Sequence, residues 1–182
     1  FSSSCNQKKQ QPDVAAVFQA ETNTVSLIKY AHGFDLIEYE GIYKLIIYHP
    51  QAAGQVLKTL YITTKEKASE FEPIEQLMIA PLDSVALFSA TQVNAFDKLG
   101  LLEKIIGVSE AGYITNPYVK KKYEQGQITE LAGSGNFYVE TTLMVNPSVI
   151  FYSPYKVIES HPLEVTGIPL VPFYDYMEND PL

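Results

Sequence analysis

Two textures of hydrophobic and polar positions divide the chain. From Val25 to Thr64 apolar and polar residues mix in short strand-like runs. Phe34–Tyr39 and Ile42–Tyr48 are rich in Ile, Leu and Tyr, with Glu40-Gly41 as turn chemistry between them, and 55–63 alternates in the same manner. These predict a small antiparallel meander, closed by the charged stretch 65–75. From residue 76 onward, short apolar runs alternate with helical patterns. The runs 77–80, 85–88, 105–108, 128–131, 149–152 and 168–171 suit buried strands. Ser89 with Gln92 three residues on reads as a capping box. Val93, Phe96 and Leu99 share the following helical face, and Gly100 ends it. Asn116-Pro117 opens a second helix whose C-terminal half carries Lys120, Lys121 and Lys122. A third runs from Val139 to Val145, led by the turn Gly133-Ser134-Gly135-Asn136, and a fourth is expected from Tyr155 to Thr166, stopped by Gly167. Strands separated by single helices predict an α/β fold with a mainly parallel sheet flanked by helices. The expected organisation is a polar tether over 1–24, a β-meander appendage over 25–75, and an α/β lobe over 76–182.

Composition narrows what such a chain can do. Of its 182 residues 46% are apolar, enough to build a core. Thirteen basic residues face 21 acids, for a net charge of −8, and every basic residue is Lys. A nucleic-acid partner would require a dense basic face, so none is expected. Without Arg, bidentate capture of carboxylate or phosphate is also lost. The single cysteine, Cys5, forbids a disulfide or thiolate metal cluster within the chain. It follows Phe1-Ser2-Ser3-Ser4 and precedes the polar run 6–12, a setting like the lipid-attachment site of a bacterial lipoprotein; a free thiol on a flexible end is the other reading. No run of 18 apolar residues occurs, so no transmembrane helix is expected.

Three pieces of the 76–182 stretch carry a resemblance. The first is Val85-Ala86-Leu87-Phe88-Ser89-Ala90-Thr91-Gln92, followed by Leu99-Gly100 and Ile106-Gly107-Val108. The second is Gly133-Ser134-Gly135-Asn136, then Val139-Glu140 and Asn146-Pro147-Ser148-Val149-Ile150. The third is Gly167-Ile168-Pro169-Leu170-Val171. In that order they resemble the substrate-binding proteins of ABC importers for iron-siderophore, haem and cobalamin. Asn146 and Ser148 depart from the Lys and Asp usual there, a change expected to touch only a surface turn. The resemblance implies a Rossmann-like N-terminal lobe of a bilobal binding protein. Asn179-Asp180-Pro181-Leu182 would then lead toward an interlobe helix, with the second lobe beyond the chain. It further implies a periplasmic location, anchored to the membrane only through lipid on Cys5. The implied partners are an inner-membrane ABC permease and a metal-chelate small molecule: a ferric siderophore, haem or cobalamin.

In such a fold ligands meet the carboxyl ends of the strands at the topological switch point. Ser89, Tyr113, Ser134, Asn136, Tyr155, Tyr174 and Tyr176 are the expected ligand-wall residues, with Tyr138 a further candidate. Tyrosine offers a rigid apolar face with a polar tip, suited to a chelate shell, although tyrosines also simply cap sheet edges. Lack of Arg favours a neutral hydroxamate chelate, or a corrinoid or haem ring, over a tri-anionic catecholate. Glu140 matches the family's acid that pairs with permease Arg; placed at a helix N-terminus, it would also complement the helix dipole.

Other chemistries find little. Gly133-Ser134-Gly135 could cradle a phosphate in a nucleotide-binding enzyme domain, but it lacks a third glycine and a ribose-binding acid. His32, His49 and His161 are too dispersed for a metal cage. No Gly-x-Ser-x-Gly elbow occurs, and Cys5 on a tether makes a poor nucleophile. The chain is therefore not expected to be an enzyme, nor to carry a cofactor of its own. A surface lipoprotein without any small ligand is the third alternative.

Overall fold

The structure is a computed structural model that describes residues 11–20, 24–52, 54–153 and 161–174. Its first element was not expected. Within the stretch read as a tether, Val14–Ala20 form a helix (α1) whose Val14 and Phe18 are buried. The two lie one helical turn apart, with Val17 half-buried beside them, which suffices to dock a short helix.

The strands β1 (Phe34–Tyr39), β2 (Ile42–Tyr48) and β3 (Val56–Thr63) form the meander, as read from sequence. The β1–β2 turn holds Glu40 at φ 49° and Gly41 at φ 77°, the left-handed pair that matches strand twist in two-residue hairpins. Beyond the one-turn helix α2 (Lys65–Ala68), β4 (Leu77–Ile79) pairs parallel with β3. That run was expected inside the lobe; instead it makes the smaller sheet four-stranded, in the order β1-β2-β3-β4. Alternation along β3 puts Tyr61 on one face, packed with α1 through Phe18, and Leu60 on the other, in a core shared with the larger sheet.

The larger sheet has six strands. In chain order come β5 (Val85–Leu87), α3 (Ala90–Lys98), β6 (Ile105–Ser109), α4 (Pro117–Glu124), β7 (Thr129–Gly133), β8 (Asn136–Phe137), α5 (Val139–Val145), β9 (Val149–Tyr152) and β10 (Leu170–Pro172). Their spatial order is β10-β9-β5-β6-β7-β8, and every pairing is parallel except β7 with β8. The chain thus winds outward from β5 through β6 and β7, then returns to the other side of β5 and winds outward through β9 and β10. Alternation along the strands feeds two cores. Val85, Leu87, Val108 and Val149 pack with Val93 of α3 and Val119 of α4. Ala86, Leu131, Ile150 and Leu170 pack with Leu163, and with Val139 and Val145 of α5. Helices therefore cover both faces, as a mostly parallel sheet requires.

Local chemistry accounts for several joints. Asn116 Oδ1 accepts from the amides of Tyr118 at 3.0 Å and Val119 at 3.2 Å, capping α4. Ser148, expected to matter little, pins β9 beside β5, since its amide donates to the Ser84 carbonyl at 3.1 Å. Of the expected fourth helix, only its C-terminal part is described, and that part is not α-helical. Pro162–Thr166 form a 3-10 turn, ended by Gly167 at φ 68°, and 154–160 lie outside the described residues.

Candidate functional site

Reversal of winding at β5 puts the topological switch point, where ligands enter folds of this kind, between the carboxyl ends of β5 and β9. The neighbouring crossovers there lie on opposite faces of the sheet. The two strand ends are stitched together by the Phe88 amide, which donates to the Phe151 carbonyl at 2.8 Å. Beyond them, β10 continues alongside β9, with the Phe173 amide donating to the Tyr152 carbonyl at 2.8 Å.

Ser89 leaves β5 in extended geometry and caps α3. Its Oγ accepts from the Thr91 amide at 3.4 Å and lies 2.8 Å from the Thr91 hydroxyl. The expected capping box does not form. Gln92 instead sends its side chain away from Ser89, donating from Nε2 to Ser153 Oγ at 3.3 Å. Ser153 Oγ in turn donates to the Phe173 carbonyl at 3.1 Å. A polar thread therefore crosses the switch point from α3, over the end of β9, to the strand beyond β10. Gln92 was not among the sequence candidates, because its pairing with Ser153 joins residues 61 apart.

The remaining candidates lie along the same carboxyl edge at different distances from the switch point. Half-buried Tyr174 follows Phe173 directly. Tyr113 closes the 3-10 turn Ala111–Tyr113 after β6 and is 73% exposed, so its ring is open for a ligand face. That turn is held by Glu130 of β7, whose Oε1 accepts from the Ala111 amide at 2.8 Å. Ser134 and Asn136 stand farther along, at β7 and β8, two and three strands from β5. Their turn is not a lead into a helix: Ser134 at φ 52° and Gly135 at φ 79° make a tight β7–β8 hairpin. A phosphate cradle at a strand-to-helix junction is therefore not what this turn builds. Tyr138 begins α5 and packs its hydroxyl over Gly133, 2.9 Å from where a Cβ would stand. Tyr155, Tyr176, Cys5 and 179–182 lie outside the described residues.

An aromatic ladder backs the edge on the α5 side. Phe88 stacks on Phe137 at 5.9 Å, and the His161 ring sits 4.7 Å from both Phe137 and Tyr152. His161 Nδ1 accepts from the Leu163 amide at 3.2 Å, so its ring proton is on Nε2. Burial pushes the imidazole pKa down; Glu164 opposes this and Lys58 adds to it. Burial also raises the Tyr152 phenol, with Glu164 adding to the effect. Glu140 occupies the first turn of α5, exposed, with exposed Leu143 and Met144 one turn on. Among the described residues no group of three or more His, Cys, Asp or Glu could hold a metal, and no helix is long and apolar enough to cross a membrane.

No protein-family model matches the chain, and no curated protein matches it.

Proposed function

We propose that the chain is the N-terminal lobe of a bilobal substrate-binding lipoprotein of an ABC importer, which captures a ferric siderophore or related metal chelate, such as haem or cobalamin, and delivers it to a membrane permease. The observation that carries this reading is the topological switch point between β5 and β9. It lies within the first of the resembling segments, at Ser89, and neutral polar and aromatic residues surround it. A site without Arg suits a chelate whose charge is internally neutralised. Closing a second lobe over this edge would sandwich the ligand between aromatic walls to which Tyr113 and Tyr174 contribute. A lipid on Cys5 would hold the protein at the periplasmic face of the membrane.

Delivery needs a docking surface, and α5 supports one. Glu140 projects from an exposed first turn, and Leu143 and Met144 extend the same exposed side with apolar area. A carboxylate beside apolar side chains suits a basic permease rim, since a charge-assisted pair fixes register while the apolar contacts add area. The test is calorimetry on the full-length gene product against ferric hydroxamate, cyanocobalamin, haemin and a nucleotide panel. Submicromolar binding of one metal complex, with the nucleotides silent, is expected. Binding of a nucleotide alone would overturn the reading. An isolated lobe has half the walls, so residues 1–182 alone should bind no tighter than about millimolar.

A further inference from the structure

Beside the switch point, one buried side-chain oxygen finds no hydrogen-bond partner among the described residues. Gln92 is fully buried, and its Oε1 is shielded from solvent and accepts no hydrogen bond. The amide orientation is set by its surroundings. Ser153 spends its proton on the Phe173 carbonyl, so Ser153 Oγ must accept from Gln92, and Nε2 is the donor. Ser89 Oγ shares a hydrogen bond with the Thr91 hydroxyl and makes none to Oε1. A buried acceptor left empty costs stability that a Met or Leu of similar length would not. It stands at the third position of α3, beside the carboxyl end of β9.

We propose that Gln92 Oε1 is the acceptor for an N–H or O–H group of the ligand, so that the switch point selects an amide-bearing chelate, such as a linear ferric hydroxamate, over haem, whose only polar periphery is carboxylate. The proposal rests on the chelate-capture reading and narrows it. A carboxylate brought against Oε1 would set two acceptors face to face, and no Arg is present to bridge them. An amide N–H meets Oε1 directly. With Oε1 shielded, the site parts locally as the donor enters, so docking and local opening are one event.

The experiment compares wild type with Gln92→Met in the full-length protein, using ferric desferrioxamine B and haemin as probes. Calorimetry gives affinity and circular dichroism gives the melting temperature. Wild type should bind the hydroxamate at least about tenfold tighter than haemin, and Gln92→Met should lose about tenfold for the hydroxamate alone. Its melting temperature should hold or rise, since an unmet acceptor has been removed. A purely structural glutamine gives the opposite pattern, a lower melting temperature at unchanged affinity, and that result overturns the proposal. If Gln92→Met does not fold, the wild-type comparison decides, and haemin bound as tightly as the hydroxamate overturns it. Hydroxamate binding that Gln92→Met leaves intact sinks this inference but spares chelate capture; binding of neither probe sinks both.

Discussion

Gly107 sits in the middle of β6, buried and without a side chain, and a methyl group added there has nowhere to go. The Cβ of Gly107→Ala would stand 2.3 Å from Leu131 Cδ1, 3.1 Å from Leu131 Cγ and 3.3 Å from Ala86 Cβ. Carbon atoms rest at about 3.5–4.0 Å, so the closest pair overlaps by more than an ångström. Leu131 has 0% exposure and cannot swing that methyl into solvent. Overpacking of this kind costs about 1–3 kcal/mol. Against it stands the lower folding entropy cost of Ala in a strand, a gain of about 0.5–1 kcal/mol. The net expectation is a loss of about 1–2 kcal/mol, or about 2–8 °C in melting temperature for a chain of this size. Far-UV circular dichroism during heating reads this directly. Leu131→Ala alone should cost about 2–5 kcal/mol. Combined with Gly107→Ala, the losses should fall short of additive by about 1 kcal/mol or more, because the clash has lost one partner. A Gly107→Ala protein that melts no lower than wild type, or losses that simply add, would refute the register of β6 against β7.

Three further perturbations have defined outcomes. Asn116→Ala should lower the melting temperature by about 2–4 °C, as the loss of one helix cap costs about 1 kcal/mol, and Asn116→Asp should recover only part of this, because it keeps the cap acceptor but loses the donor to Asp97. His161 has its pKa depressed in the folded chain, so the unfolded chain takes up its proton first. Stability present above the unfolded value of about 6.5 is then lost as pH falls through it toward the lowered folded value. Melting curves from pH 7.5 to 5.5 should therefore slope downward with acid, and His161→Asn, which keeps the cap acceptor but does not titrate, should flatten that slope; an equal slope in both proteins counts against the assignment. Glu140→Lys should abolish chelate uptake by whole cells while leaving ligand affinity unchanged, and normal uptake would remove the docking role.

Legibility in the sequence followed the range of the forces involved. Strands β1, β2 and β9 came out with the bounds expected, because alternation, Glu40-Gly41 and Asn146-Pro147 are local signals. Helix α3 was equally plain from Ser89 to Gly100. The misses are non-local. Helix α1 is only seven residues long with no charge pattern in its first or last turn, and its stability comes from the sheet beneath it. The run at β4 read correctly as a strand, but the sheet it joins depends on β3, not on its own residues. The two residues of β8 are too few to show alternation, so a hairpin turn passed for a helix lead-in. At the site, Ser89 was visible as a cap. Gln92 was visible only as its capping partner, since nothing near residue 92 announces a hydrogen bond to residue 153.

Ligand capture at the carboxyl edge can be observed residue by residue. Nitrogen-15 spectra of the 182-residue chain, titrated with the diamagnetic gallium complex of desferrioxamine B at millimolar concentration, should move the amides of Ser89, Gln92, Tyr113, Ser153 and Tyr174 while those of β1–β4 stay fixed. Shifts confined to the four-stranded sheet, or no shift anywhere at those concentrations, would contradict the account.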